Sequence, residues 1–107
     1  MKILDSLVEV VRVVHGLAAK VARHDRDLAQ QMRRASTSVA LNASEGLHAK
    51  AGKRRSRLED AVNSARETLM ALRLAGACKY LQAEEAEAAA RELDSVIAVL
   101  WTLAYRR

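Results

Sequence analysis

The sequence predicts an all-α fold: a single domain over residues 1–107, built as an antiparallel up-down-up-down four-helix bundle. Three observations point there. The 107 residues include 21 Ala and 14 Leu, both strong helix formers, but no Pro and only four Gly. An all-β fold would need turn residues every few positions. Apolar residues recur at intervals of three and four over four separate stretches. The connections between those stretches are short, which sets consecutive helices antiparallel. Stretches of roughly 20 residues make rods ~30 Å long.

The first helix is expected from Leu4 to Ala22. Leu4, Leu7, Val11, Val14, Ala18 and Val21 form a heptad-like seam, with Asp5, Glu9, Arg12 and Arg23 on the other side. The β-branched run Val8 to Val14 suggests a strand, but Glu9 and Arg12 fit a period of 3.6 better than 2. A second stripe, Ile3, Val10, Val13 and Leu17, widens the apolar face. A helix of a lone bundle needs one stripe, so two stripes imply burial on two sides and hence a homo-oligomer.

His24-Asp25-Arg26-Asp27 is a charged connection in which either Asp can cap the next helix. That helix is expected from Leu28 to Glu45, with seam Leu28, Met32, Ala35, Val39 and Asn42 and with Gly46 as terminator. Ser36, Thr37, Ser38, Asn42 and Ser44 are modest helix formers, so packing must hold this helix. Asn42, on the seam, is expected to be buried, hydrogen-bonded and register-fixing. Glu45 is expected to pair with an arginine of another helix or subunit, because Arg34 is too far along its own.

A loop through Leu47, His48 and Gly52 is expected next. The third helix starts near Ala51, or later at a Ser56-x-x-Glu59 capping box, and runs to Ala75 or Gly76. Its seam is Leu58, Val62 (or Ala61), Ala65, Leu69 and Leu72. Ala77 to Gln82 forms a turn. The fourth helix runs from Ala83 to Tyr105 with seam Ala86, Ala90, Leu93, Ile97, Leu100 and Ala104. Glu84, Glu85 and Glu87 stand at its positive end, and Arg106 and Arg107 follow its negative end, as the helix dipole favours.

Several function classes find no support in the sequence. Cys78 is the single cysteine, which excludes an internal disulfide and fits a reducing cytoplasm. Asp5, Glu9 and Arg12 interrupt the apolar start, so no signal peptide is read. The apolar stretch Val96 to Ala104 is far short of the ~20 residues of a membrane span. His15, His24 and His48 lie in different segments without a metal-ligand spacing, and no Gly-rich phosphate loop or nucleophile elbow occurs. No enzyme activity, cofactor or metal is therefore expected.

Charge is more informative. Seven of the 18 basic residues and one of the 13 acidic residues lie between Arg33 and Arg57, a local +6; the remaining 11 basic and 12 acidic residues leave −1. Arg55 can reach Glu59 and Arg57 can reach Asp60 along one helix, whereas Lys50, Lys53 and Arg54 have no nearby acid. Cations at a helix start oppose the dipole at a cost of ~0.3–1 kcal/mol each at low salt. The expected site is a surface for RNA or DNA phosphates formed by Arg33, Arg34, Lys50, Lys53, Arg54, Arg55 and Arg57. The alternative is a structural or protein-partner module whose basic face is merely solvated. With three aromatic residues in the chain, contacts to the backbone rather than base stacking are expected. Trp101 and Tyr105, four apart, either anchor an interface or pack in the core.

The stretch Gln31-Met32-Arg33-Arg34-Ala35-Ser36-Thr37-Ser38-Val39-Ala40-Leu41-Asn42-Ala43-Ser44-Glu45-Gly46 resembles the signature of the four-helix-bundle proteins encoded in 23S ribosomal RNA intervening sequences. That signature has Gln-x-Arg-Arg-Ala followed by Ser, Asn and Glu-Gly at these offsets. Ser64-Ala65-Arg66-Glu67 is similar to its Ser-Ala-x-Glu, and Lys79-Tyr80-Leu81 matches its Gly-Tyr-Leu turn at the last two positions. The motif residues are thus Asn42, Glu45, Gly46, Ser64 and Glu67. The resemblance implies a homo-oligomer, with a pentamer favoured. A related branch, the accessory variability determinants of diversity-generating retroelements, binds nucleic acid and a reverse transcriptase, which makes both conceivable partners here.

Overall fold

The computed structural model describes residues 2–106. It contains four helices in chain order, α1 (Lys2–Val21), α2 (Arg26–His48), α3 (Ala51–Ala77) and α4 (Ala83–Tyr105). Each packs on its sequence neighbours and α4 closes back on α1, so the chain is an up-and-down bundle, 43 Å long and 21 × 19 Å across. The α2–α3 contact is the most extensive and the α1–α4 contact the least of the four. One end of the bundle carries the α2–α3 link, the start of α1 and the end of α4. The other carries the α1–α2 and α3–α4 turns.

Small side chains let the helices approach closely. The core joins Leu7, Val14, Met32, Leu58, Leu72, Leu93 and Leu100, all at most 1% exposed, to a background of buried alanines from every helix. The expected seams supply most of it. On α1, however, Val10 and Leu17 of the second stripe are buried in this same core, along with Leu7, Val14, Ala18 and Val21. A core-facing helix presents an apolar arc of about 100° or more, wide enough to take both stripes. The double stripe therefore does not by itself demand a second subunit. Val8 and Val13 are the large apolar α1 residues left exposed.

Helix ends decide one open choice of the sequence reading and correct it in three places. Asp25 caps α2, its carboxylate accepting from the Leu28 N–H at 2.9 Å. At its other end α2 passes through Gly46 to His48, because a glycine ends a helix by taking positive φ and none of the described glycines does. The link to α3 is only Ala49 and Lys50, so Leu47, His48 and Gly52 are helical. Consequently Ser56 and Glu59 lie inside α3 and form no capping box; α3 starts at Ala51 without a side-chain cap. On α4 the expected bounds hold, and Gln82 forms a reciprocal capping box with Glu85, whose carboxylate accepts from the Gln82 N–H at 3.1 Å. Arg107, expected beyond this helix, lies outside the described residues.

Candidate nucleic-acid interface

The basic run gathers at the end of the bundle where α2 turns into α3. Lys50 is the residue before α3, and its carbonyl accepts from the Lys53 and Arg54 N–H groups at 2.9 and 3.0 Å. This first turn projects Lys50 and Lys53 into solvent, with Arg54 half-buried beside them. Among the described residues none of the three enters an ion pair. The antiparallel topology brings Lys2 and Arg106 to this end as well, both exposed. Chain order hides that addition; placing the first and last helix ends beside the α2–α3 link would have revealed it.

The remaining arginines of the run have local tasks. Arg57 Nε lies 3.3 Å from Glu45 on α2, and an Arg57 terminal nitrogen lies 4.0 Å from Asp60. Glu45 thus pairs with an arginine of another helix, as its spacing suggested. Arg55 does not pair with Glu59. Its Nε donates to the Ala104 carbonyl at 3.4 Å, and its guanidinium lies 4.9 Å from the Tyr105 ring centroid. Glu59 instead accepts from the Tyr105 hydroxyl. That bond holds the Tyr105 phenol above its ordinary pKa, because only the neutral phenol can donate it, and the Glu59 charge further opposes ionisation.

Arg33 and Arg34 stand apart from this cluster. They line an open depression of about 520 Å³ on the outer face of α2, with Thr37, Ser38, Leu41, Asn42 and Glu45. Arg34 is ~21 Å along the helix axis from His48, at 1.5 Å per residue. One continuous basic site from 33 to 57 is therefore not formed within one chain.

The motif residues do meet. Ser38 and Ser64 hydroxyls lie 2.9 Å apart across α2 and α3, and Asn42 donates to Ser38 at 3.0 Å. Asn42 is half-buried at the groove between the helices rather than in the core. The buried polar residues are Ser36 and Thr68, which hydrogen-bond back to the Arg33 and Ser64 carbonyls at 3.2 and 2.8 Å. Gly46 packs on Leu58, which is why no larger residue belongs there. Glu67 is exposed one turn beyond Ser64. The Ser-Asn-Glu-Gly part of the pattern is thus largely a device for seating α2 on α3.

Trp101 and Tyr105 are 46% and 40% exposed, which overturns their reading as core residues. The signal was present: Trp101 follows Glu87 and Asp94 at intervals of seven and so shares one stripe of α4 with these two acids. No helix is long and apolar enough to cross a membrane among the described residues. Nor do those residues place three His, Cys, Asp or Glu side chains together as a metal site.

Fold and site together define a four-helix bundle with a short, basic α2–α3 corner and a polar α2–α3 seam. The profile of the 23S rRNA-intervening sequence protein family matches residues 1–102, and the chain belongs to that family. A solved structure with the same fold is a protein of unknown function from the S23 ribosomal protein family of Bacteroides thetaiotaomicron. It is 20% identical, with a TM-score of 0.89 over 96% of this chain and 98% of that one. No curated protein matches.

Proposed function

We propose that the protein is a non-enzymatic, homo-oligomeric bundle that binds RNA or DNA through phosphate contacts at the α2–α3 end. The observation that carries this reading is the cluster of Lys50, Lys53 and Arg54, solvent-facing or half-buried and without ion-pair partners among the described residues. They stand where the α3 dipole disfavours cations, so a bound polyanion offsets a cost the isolated fold bears. Lys2 and Arg106 extend the positive end. Arg33 and Arg34 would join one surface through a neighbouring subunit rather than within the chain. Val8 and Leu41, 66% and 60% exposed, supply apolar area for subunit contact. A pentamer is the favoured assembly.

Binding of RNA and DNA duplexes across a salt series tests this. The logarithm of affinity should fall with log salt by about 0.9 per phosphate neutralised. Replacing Lys50, Lys53 and Arg54 with Gln should flatten that slope without lowering the melting temperature. Absence of salt-sensitive binding below about 100 mM would leave the basic end a solvated surface. Light scattering should return a multiple of 11.8 kDa; a monomer at micromolar concentration refutes the assembly.

A further inference from the structure

Two of the three aromatic side chains of this protein share one exposed strip. Trp101 and Tyr105 sit one turn apart on α4, ring centroids 4.5 Å apart and planes tilted by 48°. Each ring carries an arginine from α3: Arg66 lies 5.8 Å from the Trp101 centroid and Arg55 lies 4.9 Å from that of Tyr105. Arg55 is held by the Ala104 carbonyl, and Tyr105 by Glu59, whose carboxylate its hydroxyl occupies. From Arg55 at the basic end, the strip rises ~16 Å along α3 to Arg66.

We propose that this strip is a base-stacking platform for single-stranded RNA or DNA, continuous with the phosphate contacts of the α2–α3 end. The inference rests on the reading of that end as a phosphate site and narrows its ligand to single strands. Unpaired bases present their faces to exposed rings, and guanidinium groups lying over those rings serve both the stack and the adjacent phosphates. A duplex covers its base faces and gains the phosphate contacts alone. Charge favours this occupant. Two rings flanked by two arginines and continuous with Lys53, Arg54 and Arg106 complement a polyanion that also carries aromatic surface.

Trp101 is the sole tryptophan, so its fluorescence reports on the platform directly. The full chain is titrated with oligo(U), oligo(dT) and a duplex of equal length at about 50 mM salt. Both single strands should quench Trp101 saturably and bind more tightly than the duplex. Trp101→Leu should weaken single-strand binding by about tenfold or more, the range of one stacked base, and leave duplex affinity and melting temperature unchanged. Trp101→Tyr should restore most of the loss. Equal affinity for single and double strands with unquenched fluorescence overturns the platform while leaving the basic-end reading intact. Loss of subunits from Trp101→Leu in light scattering also overturns it, by assigning the rings to an interface between copies or another protein surface. If the Gln variant of Lys50, Lys53 and Arg54 leaves single-strand binding unchanged while Trp101→Leu weakens it, the rings stack bases on their own, and the basic-end reading fails together with the proposed continuity between the two. No binding to any of the three probes refutes both.

Discussion

Gly46 of α2 faces Leu58 of α3 so closely that a Cβ on Gly46 would lie 3.0 Å from Leu58 Cγ and 3.2 Å from Arg57 Cβ. The missing side chain lets the two helices meet at their shared end. It also brings Glu45 within 3.3 Å of Arg57.

Gly46→Ala should therefore destabilise the fold. Alanine gains about 0.8–1 kcal/mol of helix propensity, but a clash in a packed contact costs about 1–3 kcal/mol. A net loss of about 1 kcal/mol is expected as a lower urea midpoint. Combined with Leu58→Val, which makes room, the loss should be smaller than the sum of the single effects. A stabilised Gly46→Ala protein would refute the close approach.

Gly16 offers the opposite case. It is exposed inside α1, and a Cβ there meets nothing within 4 Å. Gly16→Ala should stabilise by about 0.8–1 kcal/mol, raising the melting temperature by several degrees. No change in calorimetry would mean that α1 is held by something other than its own helicity.

Lys79 has φ 63°, the left-handed conformation, and it is the one non-glycine among the described residues to do so. It closes the C-terminus of α3, its N–H donating to the Gly76 carbonyl at 3.1 Å. A side chain in this conformation costs about 1–2 kcal/mol relative to glycine. Lys79→Gly should accordingly raise stability by about 1 kcal/mol, less what glycine loses in unfolded-state entropy. This is the position where the resembled turn carries Gly.

Glu85 joins the two turns at the far end. It accepts from Lys20 at 2.7 Å, and that bond, with the Gln82 N–H, lowers its pKa below the ordinary 4.5. A lowered carboxylate pKa adds stability that is present above the ordinary value and is lost as pH falls through the lowered one. Glu85 is half-buried but its partner Lys20 is exposed, so solvent screens the pair and the effect is small. Glu85→Gln should reduce the acid sensitivity of the midpoint below pH 4.5 and leave the neutral-pH midpoint little changed. An identical acid profile for both proteins would refute the coupling.

The helices were legible because Leu, Val and Ala recur on one side of each, and the α4 bounds followed from Glu84, Glu85 and the last apolar turn. What spacing could not convey was distance between helices. Gly46 reads as a stop signal until Leu58 is seen against it, and Ser56 reads as a cap until Ala51 is seen already helical. Asn42 sits at the edge of its seam, where a small error in phase decides between core and groove. The cations of residues 50–57 were legible as a cluster. Their division was not, since Arg55 and Arg57 turn to partners 49 or more and 12 positions away, Ala104 and Tyr105 for one and Glu45 for the other.

The unequal contacts between the helices also set how the molecule comes apart. α2 and α3 grip each other most, while α1 leans on α2 and only lightly on α4. Subglobal opening should begin where the fewest contacts are lost. In native-state hydrogen exchange, the α1 amides should be the first of the interior amides to exchange, with the α2–α3 hairpin as the last unit to yield. The α2–α3 core of the basic corner thus keeps its shape while α1 breathes, and of the cations gathered at that end only Lys2 moves with the opening helix.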